Sequence, residues 1–158
     1  MTSPVVAFHA GTGTDARGRT RAAILQWPDS RLEGVHDYIQ WLFPLPEPSG
    51  FNPDAPLLTA ADIAAFAADT GLRGNLAEAH DRMLRFYGLD RSPPVAARLR
   101  AWQTPGNHNM LRITRILRCL VLLGLPDRAE TMSGRLREVD SPAIGARTWR
   151  FWEDAARS

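Results

Sequence analysis

Apolar residues recur along this chain at spacings of three and four. No stretch alternates apolar with polar for long, so the pattern predicts helices and no strands. The strongest run begins at Leu32. On a wheel stepped at roughly 100° per residue, Leu32, Val35, Ile39, Leu42 and Phe43 share one face, with Glu33, Asp37 and Gln40 on its flank. His36 falls in the middle of that apolar face, which predicts a buried imidazole whose ring nitrogens both need partners. Tyr38 and Trp41 point the other way, so this central helix is expected to be covered on more than one side. Pro44 ends it, and Pro46, Pro48, Pro53 and Pro56 hold the following residues extended.

Start and stop signals divide the rest of the chain into further helices. Residues 1–19, with Gly11, Gly13 and Gly18 among small polar residues, read as irregular. A short helix is expected from Thr20 to Trp27, stopped by Pro28, after which Asp29 or Ser30 can cap the central helix. Thr59 with Asp62 is a capping-box start for a helix ended by Gly71. Asn75 is expected to cap the next, which runs to Tyr87 before Gly88. Ser92-Pro93 marks another start, running to about Gln103. A helix over 108–123 stops at Gly124 and Pro126, and Asp127 with Glu130 opens its successor. Ser141-Pro142 begins the last, with Ile144, Phe151 and Trp152 on one face. The expected fold is all-α: one compact, non-repeating helical domain over residues 1–158, of about seven or eight helices.

Composition narrows the class. With 158 residues, 44% apolar and 23% charged, the chain is long enough and greasy enough for a core, which argues against disorder. All 19 basic residues are arginine, yet the formal net charge is only +2 and acids are interleaved throughout, so nucleic acid is disfavoured as a partner. The single cysteine, Cys119, excludes an intrachain disulfide and a cysteine zinc site, and its place in an apolar helical run predicts a core thiol. The longest apolar stretch, Ile113 to Leu125, is short and interrupted by Arg115 and Arg118, so no membrane span is expected. The N-terminus lacks the basic start and apolar segment of a signal peptide, which makes a cytoplasmic setting the expectation.

The motifs that could carry chemistry are few. GTGTDARG at 11–18 lacks the spacing of a phosphate loop, and Glu33-x-x-His36 is half of a di-metal signature with no second half. No nucleophile elbow is present, so neither a catalytic residue, a cofactor nor a metal is assigned. The most suggestive polar set lies near Asn107. His108, Arg112 and Arg115 fall within about 60° on the wheel, and Gly106 and Asn107 would leave backbone N–H groups at the same helix end. Guanidinium forks and a helix start suit a carboxylate or phosphate. The alternative is that these arginines pair with Glu33, Asp37 or other acids to fix packing. Trp41, Phe43 and Phe51 around the proline-rich turn can line a groove for a peptide, or simply pack that loop on the core.

Three ordered stretches, HDYIQWLFPLPEPSGFNPDAPLL from His36, RMLRFYGL from Arg82 and NHNMLRITRILRCLVLLGL from Asn107, together resemble the conserved region of the opioid growth factor receptor family. The resemblance implies an all-α domain. It also implies kinship with vertebrate members described as receptors for an enkephalin peptide, associated with the nucleus and restraining cell growth. The matching residues are His36, Tyr38, Gln40 and Trp41 in one segment and His108, Asn109, Arg112 and Arg115 in the other. The expected function is a ligand- or peptide-binding module. His36, Gln40, Trp41, Asn107, His108, Asn109, Arg112 and Arg115 would shape a pocket for an anionic small molecule or a peptide. The rival is an enzyme using His36 and His108 as an acid-base pair, with Arg112 and Arg115 binding an anionic substrate. Oligomeric state is not readable from the sequence.

Overall fold

A computed structural model describes residues 2–94, 102–139 and 141–157. Among these the chain forms nine helices and no strand, an all-α fold as the periodicity predicts. In order they are α1 (Pro4–Ala10), α2 (Arg21–Leu25), α3 (Asp29–Gly34), α4 (Ile39–Leu42), α5 (Ala60–Ala68), α6 (Thr70–Tyr87), α7 (His108–Leu122), α8 (Pro126–Arg137) and α9 (Ala146–Arg157). The chain divides into two compact units, Met1–Ala79 and His80–Ser158. The helix expected from Ser92-Pro93 falls mostly on 95–101, outside the described residues.

In the first unit α1 packs on α4 and α5, and Phe8, Ile24, Leu32, Tyr38, Leu42, Phe43 and Phe66 are fully buried. The N-terminal segment is not irregular throughout. Ser3 Oγ accepts from the N–H of Val6, Pro4 sits in the first turn, and Gly11 closes α1 at φ +85°. That is a complete helix with a cap, a first-turn proline and a left-handed glycine stop. Val5, Phe8 and His9 are its buried face.

The central helix is the main departure from expectation. Leu32 to Phe43 is two short helices, because Val35 turns extended at φ −99° and ψ 130°. In a continuous helix the Leu32 carbonyl would accept from the N–H of His36. Here the Tyr38 hydroxyl donates to it at 2.7 Å, and Gly34, a poor helix former, precedes the break. His36 is consequently exposed rather than buried. The expectation that the segment is covered on several sides does hold, since Tyr38, Gln40 and Trp41 are buried along with Ile39, Leu42 and Phe43. The proline-rich turn follows, closed where the Leu58 N–H donates to the Leu45 carbonyl at 3.0 Å.

At α5 the capping box is complete. Asp62 N–H donates to Thr59 Oγ1 at 3.1 Å, the Thr59 N–H donates to Asp62 Oδ2 at 3.0 Å, and the Ser3 hydroxyl donates to Asp62 Oδ1. Asp62 thus serves two helix starts while only 2% exposed. Asp62→Ala is expected to lower the stability of the first unit by about 2 kcal/mol, the upper range for a lost cap, because two donors, the Thr59 N–H and the Ser3 hydroxyl, lose their acceptor. Urea unfolding checks it, and a change under roughly 0.5 kcal/mol, the surface-substitution range, would contradict this account. The next helix begins earlier than expected. Asp69 Oδ1 accepts from the N–H groups of Gly71 and Leu72, so α6 starts at Thr70 and Asn75 lies inside it.

In the second unit α7 packs on α8 and α9, which also pack on each other. Ile113, Ile116, Leu117 and Leu120 of α7 are fully buried with Met132, Leu136 and Trp152. Gly124 turns left-handed at φ +86° after α7, as its position implies, whereas the next helix opens at Pro126, one residue ahead of the expected Asp127, and without a side-chain cap. The last helix begins at Ala146, later than Ser141-Pro142, and its face is not the expected one: Trp152 is buried while Phe151 is 47% exposed. Cys119 is fully buried, and burial pushes its thiol above the ordinary range, as befits a core thiol and not a nucleophile. No described helix is long and apolar enough to cross a membrane.

Candidate functional site

A cavity of about 560 Å³ opens in the first unit, lined among others by Arg17, Arg19, His36, Asp37, Trp41 and Phe51. The break between α3 and α4 creates it, because the extended residues after Gly34 turn His36 and Asp37 outward into this space. Its opposite wall is the loop that sequence patterning left as plain surface. Asp15, with a fully buried side chain, accepts from the N–H groups of Arg17 and Arg19 at 2.9 Å each and from Arg19 Nε at 2.7 Å. A carboxylate held by backbone N–H groups fixes the loop and presents both arginines on one side.

Asp37 then bridges the two walls. Arg19 Nη2 reaches its Oδ1 at 2.7 Å and Arg17 Nε its Oδ2 at 3.2 Å. Partial burial works to raise the Asp37 pKa, but the hydrogen bond and charge of Arg19, aided by Arg17, outweigh it and hold the carboxyl below its ordinary value. The arginines differ in freedom. Arg19 has a side chain 18% exposed and clasped by two carboxylates, whereas that of Arg17 is 72% exposed and, among the described residues, pairs with Asp37 alone. Arg19 and Arg31 also lie over the Trp27 ring, at 5.2 and 4.3 Å from its centroid.

The aromatic wall comes from Trp41, 7% exposed, and Phe51, 81% exposed at the tip of the proline-rich turn. Asn52 pins that turn: its Nδ2 donates to Gln40 Oε1 at 3.3 Å, and its backbone N–H donates to Ser49 Oγ at 3.2 Å. Gln40 is therefore a buried brace, with its own Nε2 donating to the His36 carbonyl at 3.3 Å. Of the residues singled out in this segment, His36 and Trp41 line the cavity and Gln40 supports it. Arg17, Arg19, Asp37 and Asn52 were missed. The one signal for them was charge: Asp15, Arg17 and Arg19 crowd a short glycine-bounded loop.

The other predicted residues lie in the second unit, at the start of α7. Asn107 is the N-cap, its Oδ1 accepting from the Asn109 N–H at 2.9 Å, so one of the backbone donors expected to await an anion is taken. Asn109 is fully buried and its Oδ1 accepts from the Tyr87 hydroxyl at 3.3 Å and from Arg112 Nη1 at 3.4 Å. Arg112 is itself only 5% exposed. His108 and Arg115 are half-buried. Within this unit Asn109 and Arg112 form an internal brace to the end of α6. Among the described residues no group of three or more metal-ligating side chains comes together.

Comparison with known proteins adds the lineage. The family model described as "Opioid growth factor receptor (OGFr) conserved region" matches residues 24–133. The chain is 44% identical over 114 residues to the opioid growth factor receptor of Mus musculus and 42% identical over the same length to that of Homo sapiens. Those stretches cover 65% of this chain but 18% and 17% of the respective receptors. It is also 41% identical over 103 residues to opioid growth factor receptor-like protein 1 of Mus musculus, covering 60% of this chain and 22% of that protein. The chain thus spans about a fifth of the length of the curated relatives it matches. No solved structure matches it. With the HDYIQWLFP and NHNMLRITRIL segments inside a match that covers most of its length, the chain belongs to the opioid growth factor receptor conserved-region family.

Proposed function

We propose that this domain is a peptide-binding module, and that the first unit's cavity takes a peptide end: an apolar or aromatic side chain beside a free carboxylate. The observation that carries this reading is the pairing, in one cavity, of an exposed guanidinium with an exposed aromatic ring. Arg17 has five N–H donors and, among the described residues, one ion-pair partner, Asp37, met through Nε, so its outer fork is available to a carboxylate. Trp41, Phe51 and Pro53 provide the apolar wall on which a side chain can lie. An 81% exposed phenylalanine fixed by a pinned loop is an unusual expense of apolar surface unless something covers it. The relatives reported above carry the name of a growth factor's receptor, and peptide reception is the part of that name this cavity suits.

The test uses matched tetrapeptides containing one aromatic residue, with free or amidated C-termini, followed by calorimetry or chemical-shift perturbation. The free-carboxylate form is expected to bind about tenfold or more tightly, the difference one charged hydrogen-bonded contact makes. Arg17→Ala is expected to abolish that preference while leaving the fold intact, since exposed ion pairs contribute under about 1 kcal/mol. Equal binding of both forms, or no binding by either, would overturn the proposal.

A further inference from the structure

The second unit holds a cavity of its own, about 510 Å³, that shares no residue with the first unit's. One wall is α6 and the residues after it, with His80, Asp81, Leu84 and Asp90. The other is one face of α8, with Asp127, Arg128, Thr131, Met132 and Arg135. Part of the charge inside is already matched. Arg128 Nη1 pairs with Asp81 Oδ1 at 2.7 Å and donates to His80 Nδ1 at 3.2 Å, which leaves Nε2 carrying the ring proton toward Met132 Sδ at 3.4 Å. Among the described residues three of its charged groups are in no ion pair: Asp127, which is exposed to solvent, and the wall groups Asp90 and Arg135. Asp90 Oδ1 is buried without a hydrogen bond. Arg135 Nη1 donates to the Leu89 carbonyl at 2.9 Å.

A cavity whose wall carries an anion with a buried, unpartnered oxygen, Asp90, and a cation, Arg135, that form no ion pair with each other is the complement of a zwitterion, while the exposed Asp127 is left to solvent. We propose that this cavity binds a free α-amino acid, its ammonium group toward Asp90 and its carboxylate toward Arg135. Leu84 and Met132 supply an aliphatic wall and Thr131 a hydroxyl, which favours an unbranched or γ-branched apolar side chain such as that of methionine or leucine. The charges on the ligand satisfy both wall groups at once. A purely cationic or purely anionic ligand satisfies one and leaves the other as it was.

The experiment compares L-leucine with leucine amide and N-acetyl-leucine, each of which lacks one of the two charges, by chemical-shift perturbation of the full chain. L-Leucine is expected to move the resonances of Leu84, Thr131 and Met132, with both blocked forms weaker by about tenfold or more. Asp90→Asn is expected to weaken leucine binding by a similar factor while leaving the melting temperature unchanged or raised, because it removes the charge from a half-buried carboxylate whose buried oxygen has no hydrogen-bond partner. That combination separates ligand recognition from a structural role. No perturbation at about 10 mM leucine, an affinity too weak to matter, would overturn the proposal. So would amide or N-acetyl forms that bind as well as the free amino acid, and so would an Asp90→Asn variant that binds leucine unchanged.

Discussion

Acidification from pH 7 to pH 4.5 is expected to remove about 2–3 kcal/mol of stability from each compact unit, since one pH unit is worth about 1.4 kcal/mol per titrating group. Each unit carries one buried histidine. His9 is fully buried, and burial lowers its pKa to about 4; the bond to the Trp41 carbonyl opposes that shift and Arg21 adds to it. His80 is 1% exposed, and burial, with Arg128 and Arg135 against the milder pull of Asp81, takes it to about 3. The geometry explains both. His9 Nε2 donates to the Trp41 carbonyl at 2.9 Å, while Nδ1 is buried among Phe8 and Phe66 with no hydrogen bond. His80 Nδ1 faces a guanidinium, so a second proton there would set two donors against each other.

The sign follows from the unfolded reference near 6.5. Below that value the unfolded chain takes up protons that the folded units refuse, so stability falls with pH until about 4 for His9 and about 3 for His80. Above it both rings are neutral in either state, and the stability they confer is fully present. The window from 6.5 to 4.5 lies above the ordinary carboxylate range, which keeps acid groups from dominating the slope. Urea unfolding at several pH values, with His9→Gln and His80→Gln as controls, measures the effect. A stability that stays flat to pH 4.5, or slopes unchanged by both substitutions, would contradict it.

The first unit's cavity shows how far single-chain patterning reaches. Helix starts written in capping residues, such as Thr59 with Asp62 or Asn107 before α7, were readable because the signal is local. The break at Val35 was not. Leu32 through Phe43 has a helical apolar period, and what interrupts it is a hydroxyl six residues along that takes the Leu32 carbonyl. Periodicity carries no information about such a contest between a side chain and the backbone. The same break put His36 in the wrong environment, since wheel geometry assumes a continuous helix. Half of the cavity was legible, through His36, Trp41 and the aromatic Phe51. The other half depends on Asp15 folding its loop around a buried carboxylate so that Arg17 and Arg19 meet Asp37, a contact across 18–20 residues that no local rule predicts.

Trp152→Ala is expected to lower the stability of the second unit by about 4 kcal/mol, the range for deleting a large buried aromatic ring. Trp152 is 1% exposed, its Nε1–H donates to the Met110 carbonyl at 3.0 Å, and its ring meets Trp102 and Trp149 edge to face at 6.4 and 5.0 Å. Trp102 in turn contacts Tyr87 at 5.7 Å and donates to its carbonyl at 3.0 Å, so the aromatic groups link α9, α7 and the end of α6 in one chain. Trp152→Phe keeps a ring and loses the N–H. The Met110 carbonyl retains the Thr114 hydroxyl at 3.1 Å, so that variant is expected to cost only about 1–2 kcal/mol. The adjacent Phe151 is the control. It is 47% exposed with the Arg147 guanidinium 5.5 Å from its ring centroid, and Phe151→Ala is expected to change stability by less than about 1 kcal/mol, as exposed cation–π contacts do. Sequence patterning put both residues on one face, whereas successive positions on a helix stand about 100° apart and only one can enter the core. Equal losses from Trp152→Ala and Phe151→Ala in urea titration would mean that α9 presents a different face to α7 and α8.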